Sequence, residues 1–479
     1  MLHGDSVKTE NDSSADTEAV EVTYRDRVAT IDGEGKRKWI YPKKPSGRFF
    51  AARTYLSWAL LAFLFLAPFI RINGHPMILL NVLERKFVLF GMVFWPQDFH
   101  IFVLIMIAGI VFIFLFTAVY GRLFCGWICP QTIFMEMVFR KIEYLIEGNA
   151  RRQRTLRLQP WNAEKLFKKG LKHAIFFGFS FVIGNLFLAY IIGVDELLTI
   201  VTDPPSRHLG GFVSMLAFSG TFYFIFAFFR EQVCTLVCPY GRLQSVLLDE
   251  NSIVISYDFK RGEPRKLFRK DEARAGAGDC IDCRQCVVVC PTGIDIRDGT
   301  QLECINCTAC IDACDEVMDK VGLPRGLVRY ASHNSIASGR RKLFTARVLG
   351  YTAVLAILMG LVLFFLTGRG NLDTTILRAS GTLYQLKGDT AVTNLYTLKI
   401  LNKTFEPIPV VLRLLRPEGK LTLVGTGLVV PPDSLVESAF FVELPVSSVP
   451  KLNNEIEIGV YAGEELLETV RTTFMGPAR

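Results

Sequence analysis

Twelve cysteines lie along the 479-residue chain, and every one belongs to a spaced group. "CIDCRQCVVVCP" supplies Cys280, Cys283, Cys286 and Cys290, and "CINCTACIDAC" supplies Cys304, Cys307, Cys310 and Cys314. Three closely spaced thiolates suit the corners of one iron–sulfur cubane, while a fourth crosses to a second. The expected sets are Cys280, Cys283, Cys286 with Cys314, and Cys304, Cys307, Cys310 with Cys290, for two [4Fe–4S] clusters. Structural zinc uses paired Cys-x2-Cys units instead of such quartets. A disulfide framework belongs to small secreted domains. Asp315 stands where a proline would follow the last cysteine; that loosens the turn expected there but removes no ligand.

The remaining four cysteines form a repeated figure, "CGWICPQ" (Cys125, Cys129) and "CTLVCPY" (Cys234, Cys238). Residues four apart on a helix share a face, so each pair can present two sulfurs in one direction. A residue before proline avoids helical geometry, which places the second sulfur at a helix break. Such thiolates can bind Cu(I), cycle between dithiol and disulfide, or hold another cluster. Burial as small hydrophobes is the plain alternative, weakened by the repetition. The spacing leaves these choices open.

These cysteines need elements to position them. Half the residues are hydrophobic and the apolar ones are clustered, which indicates a membrane protein with soluble additions. Five segments approach the roughly 20 apolar residues of a spanning helix: about 54–70, 99–120, 174–194, 211–229 and 346–367. The apolar stretch at 87–97, ended by Pro96, reads as an interfacial lead-in to the second span. The amphipathic stretch at 133–146, with Arg140, Lys141 and Glu143, reads as a helix along the membrane surface. Lys and Arg crowd before spans one, three and five, which predicts a cytoplasmic N-terminus and an outer C-terminus. Two hairpins, each followed by a cysteine pair, suggest a pseudo-symmetric four-helix bundle. The formal charge of +8 flanks apolar runs, so no nucleic acid is expected as partner.

The opening segment has no basic-then-apolar start, so no cleavable signal peptide is expected, and this polar tail is expected to be disordered. "EARAGAGDC" reads as a small-residue hinge. Beyond the fifth span, six or seven alternating runs over about a hundred residues predict an immunoglobulin-like sandwich without cysteine. The fold expected is thus a multi-domain membrane protein. It comprises an N-terminal tail (1–52), a four-span bundle (53–262), a bacterial-type two-cluster ferredoxin domain (263–343), a fifth span (344–369) and an all-β sandwich (370–479). His75, Met77, His100 and His208 are weaker candidates for copper or quinone contacts. Asn402-Lys403-Thr404 fits a glycosylation acceptor, a common chance match. No dinucleotide-binding glycine motif is evident, so direct NAD(P)H binding is not expected.

"KFVLFGMVFWPQD", "GRLFCGWICPQTIF", "REQVCTLVCPYGRLQ", the two quartets and "DEVMDKVGLPRGLVRY" occur in this order. In them the chain resembles the FixG/RdxA/CcoG proteins of bacteria over nearly its whole length. The resemblance implies a multi-pass inner-membrane protein with a cytoplasmic ferredoxin domain and a periplasmic sandwich. It further implies cupric reductase activity that serves assembly of the cbb-type cytochrome oxidase. Cys125, Cys129, Cys234 and Cys238 then carry the copper chemistry and the eight quartet cysteines hold the clusters. Copper chaperones or a transporter, oxidase assembly factors and an unidentified electron donor are the implied partners. A quinol-linked relay subunit resembling the NapH-type proteins is the alternative, although the sandwich and fifth span argue against it. A non-redox assembly scaffold is a third reading.

Overall fold

The computed structural model describes residues 29–31, 34–72, 74–83, 86–267, 276–340, 344–379, 381, 383–388, 390–425 and 427–477. The expected disordered tail and the first four residues of the small-residue hinge, 272–275, lie outside them. Five helices are long and apolar enough to cross a membrane: Arg48–Leu66, Phe99–Tyr120, Ala163–Ile192, Leu209–Phe229 and Ala346–Thr367. The chain divides into two compact units, 1–70 with 105–359 and 71–104 with 360–479, with boundaries inside the second and fifth spans.

In the first unit the third span begins well before its apolar run. Asn162 caps it by accepting from the Lys165 N–H at 2.8 Å, satisfying a donor the helix start leaves free. The third and fourth spans meet where Gly184 faces Ser219; a Cβ on Gly184 would lie 3.0 Å from the Ser219 nitrogen. Small residues allow that approach in a bilayer, where packing and not water drives association. The hairpins differ in their connections. A three-stranded sheet follows the first span, whereas the helix Val194–Thr202 follows the third.

The stretch 133–146 packs its apolar face against the third and fourth spans. It is a helix with a π-helical segment at Phe134–Phe139, and Phe134, Met135 and Phe139 are buried against Phe176, Ile183 and Phe226. Phe139 stacks on Phe226 with centroids 4.4 Å apart. Its polar side meets ions instead of water. Glu143 accepts two hydrogen bonds from Arg230 at 2.6 and 2.9 Å, and Arg140 donates to Glu136 at 2.9 Å. Amphipathicity reports that two faces differ; it does not say which partner the polar face finds.

The quartets share one backbone design. Asp282 and Arg284 in the first, and Asn306 and Thr308 in the second, all have positive φ, between 50° and 66°. Asp and Asn tolerate that region, whereas a β-branched threonine is strained there, so the surrounding loop must hold it. Strands Val254–Tyr257 and Val328–Ala331 pair antiparallel beside the loops. Helix Ala309–Val321 abuts the first span, where Asp312 accepts from the Phe49 and Phe50 N–H groups at 3.2 and 2.8 Å. Asp315, in the place of the expected proline, accepts from the Gly326 N–H at 2.9 Å and pairs with Arg48 at 3.3 Å. A proline could do neither.

The second unit contains the sandwich. One sheet runs Lys420–Leu423, Ser434–Pro445, Ala391–Asn402, Leu372–Arg378, with Gln385–Lys387 also paired to Ala391–Asn402. The other runs Leu428–Val430, Ile408–Arg416, Asn453–Ala462, Glu465–Met475. That makes nine described strands where six or seven were expected; short ones escape a pattern of alternation. Tyr396, Leu398, Ile400, Phe440, Ile458 and Phe474 fill the space between the sheets. The Asn402 amide is buried and donates to the carbonyls of Glu406, Val430 and Pro431, so it is no glycan acceptor.

The apolar stretch at 87–97, which leads into the second span, is built of strands. Ile78–Asn81, Lys86–Leu89 and Met92–Phe94 form an antiparallel sheet. Leu79, Val88 and Val93 pack with Trp95 and with Phe405 of the sandwich. Buried Asp433 pairs with Lys86 and accepts from Trp95 Nε1 at 3.1 Å. Val, Ile and Phe suit either a strand or an interfacial segment, and the ion partner decides here.

Candidate redox site

Each Cys-x-x-x-Cys-Pro figure folds the same way. The Cys129 N–H reaches the Phe124 carbonyl at 2.9 Å and the Cys238 N–H the Val233 carbonyl at 2.8 Å, both spanning five residues. Cys129 and Cys238 then turn extended, with ψ of 122° and 114°, and Pro130 and Pro239 start new helices. Each second thiol therefore sits at a helix break. All four thiols lie within electrostatic reach of one another. No three His, Cys, Asp or Glu donors among the described residues form a ready single-ion cage.

Burial governs the chemistry of these thiols. It pushes Cys125 up to about 11 and Cys234 to about 12, and raises Cys129. The Gln244 amide donates to Cys125 Sγ at 3.2 Å. Groups so buried stay protonated at neutral pH until a metal takes the proton's place.

The first figure is seated on the second quartet. Gly126 lies so close to the Ile305 and Asn306 carbonyls that a Cβ would come within 2.5 Å of either oxygen. The equivalent residue of the second figure is Thr235, so only the first can dock this way. Trp127 Nε1 donates to Tyr330 Oη at 3.1 Å, and Tyr330 Oη donates to the Asn306 carbonyl at 3.2 Å. Cys125 also packs against the apolar core that surrounds the quartets.

The quartet cysteines line two cavities. Cys290, Cys304, Cys307 and Cys310 border one, and Cys280, Cys283 and Cys314 border the other, with Cys286 touching both. Burial pushes Cys286, Cys304 and Cys314 up to about 12 and Cys307 to about 11. Cysteines clustered around two apolar cavities are a donor set that suits iron–sulfur clusters.

The weaker candidates have structural partners. His208 pairs with Asp203 at 3.0 Å, His75 lies 3.6 Å from Asp433, and His100 packs edge-on against Phe365. Met77 is buried. Arg53 and Arg122, both buried beside the docked figure, were not singled out as site residues. The structure draws Arg53 into the first spanning helix, Arg48–Leu66, where a charged residue usually marks function, whereas the apolar run at 54–70 leaves it outside.

Residues 229–333 match the family model of a 4Fe-4S dicluster domain and residues 100–152 that of a 4Fe-4S binding domain. Residues 362–477 match the IG-like fold at the C-terminus of FixG. The chain is 34% identical over 460 residues to nitrogen fixation protein FixG of Rhizobium meliloti, covering 86% of this chain and 87% of that one. It is 34% identical over 382 residues to protein RdxA of Cereibacter sphaeroides, covering 77% and 80%. The crystal structure of a FixG-related protein from Vibrio parahaemolyticus aligns over 22% of this chain and 97% of that chain, with 19% identity and a TM-score of 0.19. With five apolar spans, two cysteine quartets and these full-length relatives, the chain belongs to the FixG/RdxA family of membrane iron–sulfur electron-transfer proteins.

Proposed function

We propose that this protein reduces Cu(II) to Cu(I) at Cys125, Cys129, Cys234 and Cys238, for the copper centre of a cbb-type cytochrome oxidase. The observation that carries this reading is the seat of Gly126 on the Ile305–Asn306 backbone, which sets the four-thiol site directly against a cluster loop. Cys290, Cys304, Cys307 and Cys310 would hold the near cluster, and Cys280, Cys283, Cys286 and Cys314 the far one. When bound, the clusters supply single electrons. The thiols bind arriving copper and release their protons. One electron converts Cu(II) to Cu(I), which soft sulfur then favours. The oxidase as destination, and copper carriers as partners, follow from the family resemblance.

Anaerobically purified full-length protein, reduced with dithionite and freed of excess, should yield about two Cu(I) per chain, one per cluster. No Cu(I) from fully reduced protein would sink the reading. Replacing Cys290 with Ser should damage the cluster built mainly by the second quartet, and Cys314 that of the first, as paramagnetic resonance would register. Damage confined to each residue's own quartet would refute the crossed ligand sets.

The basic flanks support a cytoplasmic N-terminus and a periplasmic sandwich in a bacterial inner membrane. Alkaline phosphatase fused after Arg479 should be active and fused after Pro291 inactive. The reverse pattern would overturn this orientation.

A second reading gives Cys125, Cys129, Cys234 and Cys238 a third cluster. The match of residues 100–152 to a 4Fe-4S binding domain favours it, since Cys125 and Cys129 are the cysteines in that range. Iron near twelve per chain, against about eight for two clusters, separates the readings.

A further inference from the structure

Two buried guanidinium groups occupy the junction between the four-thiol site and the second quartet. Arg122 stands three residues before Cys125 and is 5% exposed; Arg53, from the first span, is 3% exposed. Arg122 Nη1 donates to the Leu302 carbonyl, just ahead of the second quartet. Its Nη2 donates to the Gly241 carbonyl at 2.9 Å, just past Cys238. One side chain thus ties together both cysteine figures and the quartet loop. Arg53 Nε donates to the Gly126 carbonyl at 2.6 Å, at the residue seated on that loop.

Among the described residues, no carboxylate forms an ion pair with either guanidinium at this junction, and Arg53 Nη2 and Arg122 Nε have no hydrogen-bond partner. Glu303 lies within electrostatic reach of Arg122, as do the Cys125 and Cys304 thiols, while Arg53 reaches Cys307. A buried cation without an anion is costly. A thiolate-ligated cubane is anionic and gains one more negative charge on reduction, so it answers that need. The other cavity differs. Its Arg297 is tied to Asp295 and Asp282, and its Arg284 is largely exposed. Those positive charges are already matched by carboxylates or screened by water.

We propose that Arg122, supported by Arg53, is a positioning residue that clamps the four-thiol site to the Cys290, Cys304, Cys307 and Cys310 cavity and raises the reduction potential of the cluster there above that of the other. Electrons then run from the far cavity to the near one and on toward the membrane-edge thiols. The direction of transfer deepens the copper reading and rests on it; the order of potentials does not.

The test is a redox titration of full-length protein, purified anaerobically in detergent and followed by electron paramagnetic resonance, for wild type, Arg122→Gln, Arg122→Lys and Arg53→Gln. Removing the charge should cut the equilibrium constant for reducing the higher-potential cluster at least tenfold, about 59 mV for one electron, and leave the lower one in place. Arg122→Lys keeps the charge and should restore most of the higher potential. Arg53→Gln should move the same midpoint in the same direction, and decides the matter if Arg122→Gln does not retain iron. An unmoved higher midpoint, an equal shift of both, or a lysine variant as displaced as the glutamine one would overturn the proposal. A downshifted midpoint in a protein whose wild type reduces no Cu(II) removes the copper reading and leaves this one standing. Normal Cu(II) reduction with unmoved midpoints does the reverse.

Discussion

Replacing Cys125 and Cys129 together with Ser, or Cys234 and Cys238, is expected to abolish Cu(II) reduction while iron stays near eight atoms per chain. All four thiols lie within reach of one another, and each figure contributes one thiol inside a helical turn and one at the break before proline. Removing either figure leaves two thiols at the site, with burial pushing Cys234 up to about 12 in one case and Cys125 up to about 11 in the other. Two such groups offer copper too little soft sulfur to hold it through the change of oxidation state. Serine keeps the size and removes the soft donor, so the helix breaks should survive. Iron analysis and anaerobic Cu(I) capture by a chelator are the two measurements. Full reductase activity in either double variant would falsify the shared site. A fall in iron from about twelve to about eight would instead establish the third-cluster reading.

Glu143→Gln should destabilise the protein by at most about 3–5 kcal/mol, the usual cost of stranding one member of a buried ion pair, because Glu231 at 3.5 Å still faces Arg230. Glu143 and Arg230 are each at most 5% exposed and joined by two hydrogen bonds of 2.6 and 2.9 Å. Burial alone would raise the Glu143 carboxyl; Arg230, with Lys172 behind it, outweighs burial and holds it down at about 2. Arg230 itself has a φ of 54°, an uncommon value for a side-chain-bearing residue, four positions before Cys234. The ion pair therefore holds the backbone that presents the second cysteine figure. Thermal unfolding in detergent should show the loss. The double variant Glu143→Leu, Arg230→Met should recover much of the stability, because an apolar pair leaves no stranded charge. A Glu143→Gln protein that melts like wild type would contradict this account.

That ion pair also shows where sequence reading stopped. Arg140, Lys141 and Glu143 were legible as a polar stripe on an apolar helix, and a membrane surface was the natural partner. Glu143 instead finds Arg230, nearly ninety residues on, and Lys172, while Arg140 pairs with its neighbour Glu136. The strands around 87–94 were not legible for a similar reason. Lys86 is held by Asp433, which is nearly 350 residues away along the chain. Helix starts were misplaced where a cap overrode hydropathy, as Asn162 does for the third span.

By itself the sequence determined the five apolar spans, the two quartets and the repeated helix-breaking cysteine figure, because each depends on composition or spacing within a short stretch. Hydrophobic length, thiolate spacing and the proline constraint act locally, so they survive without knowledge of the fold. Only the tertiary structure decided that Gly126 docks on the Ile305–Asn306 backbone and that Arg53 and Arg122 lie unmatched at that junction. It also decided that Asp315 serves Arg48 and Gly326 in place of a proline. These depend on close approach between segments far apart in the chain. A glycine's missing Cβ or a buried arginine's missing counter-charge acquires meaning only once its neighbours are in place.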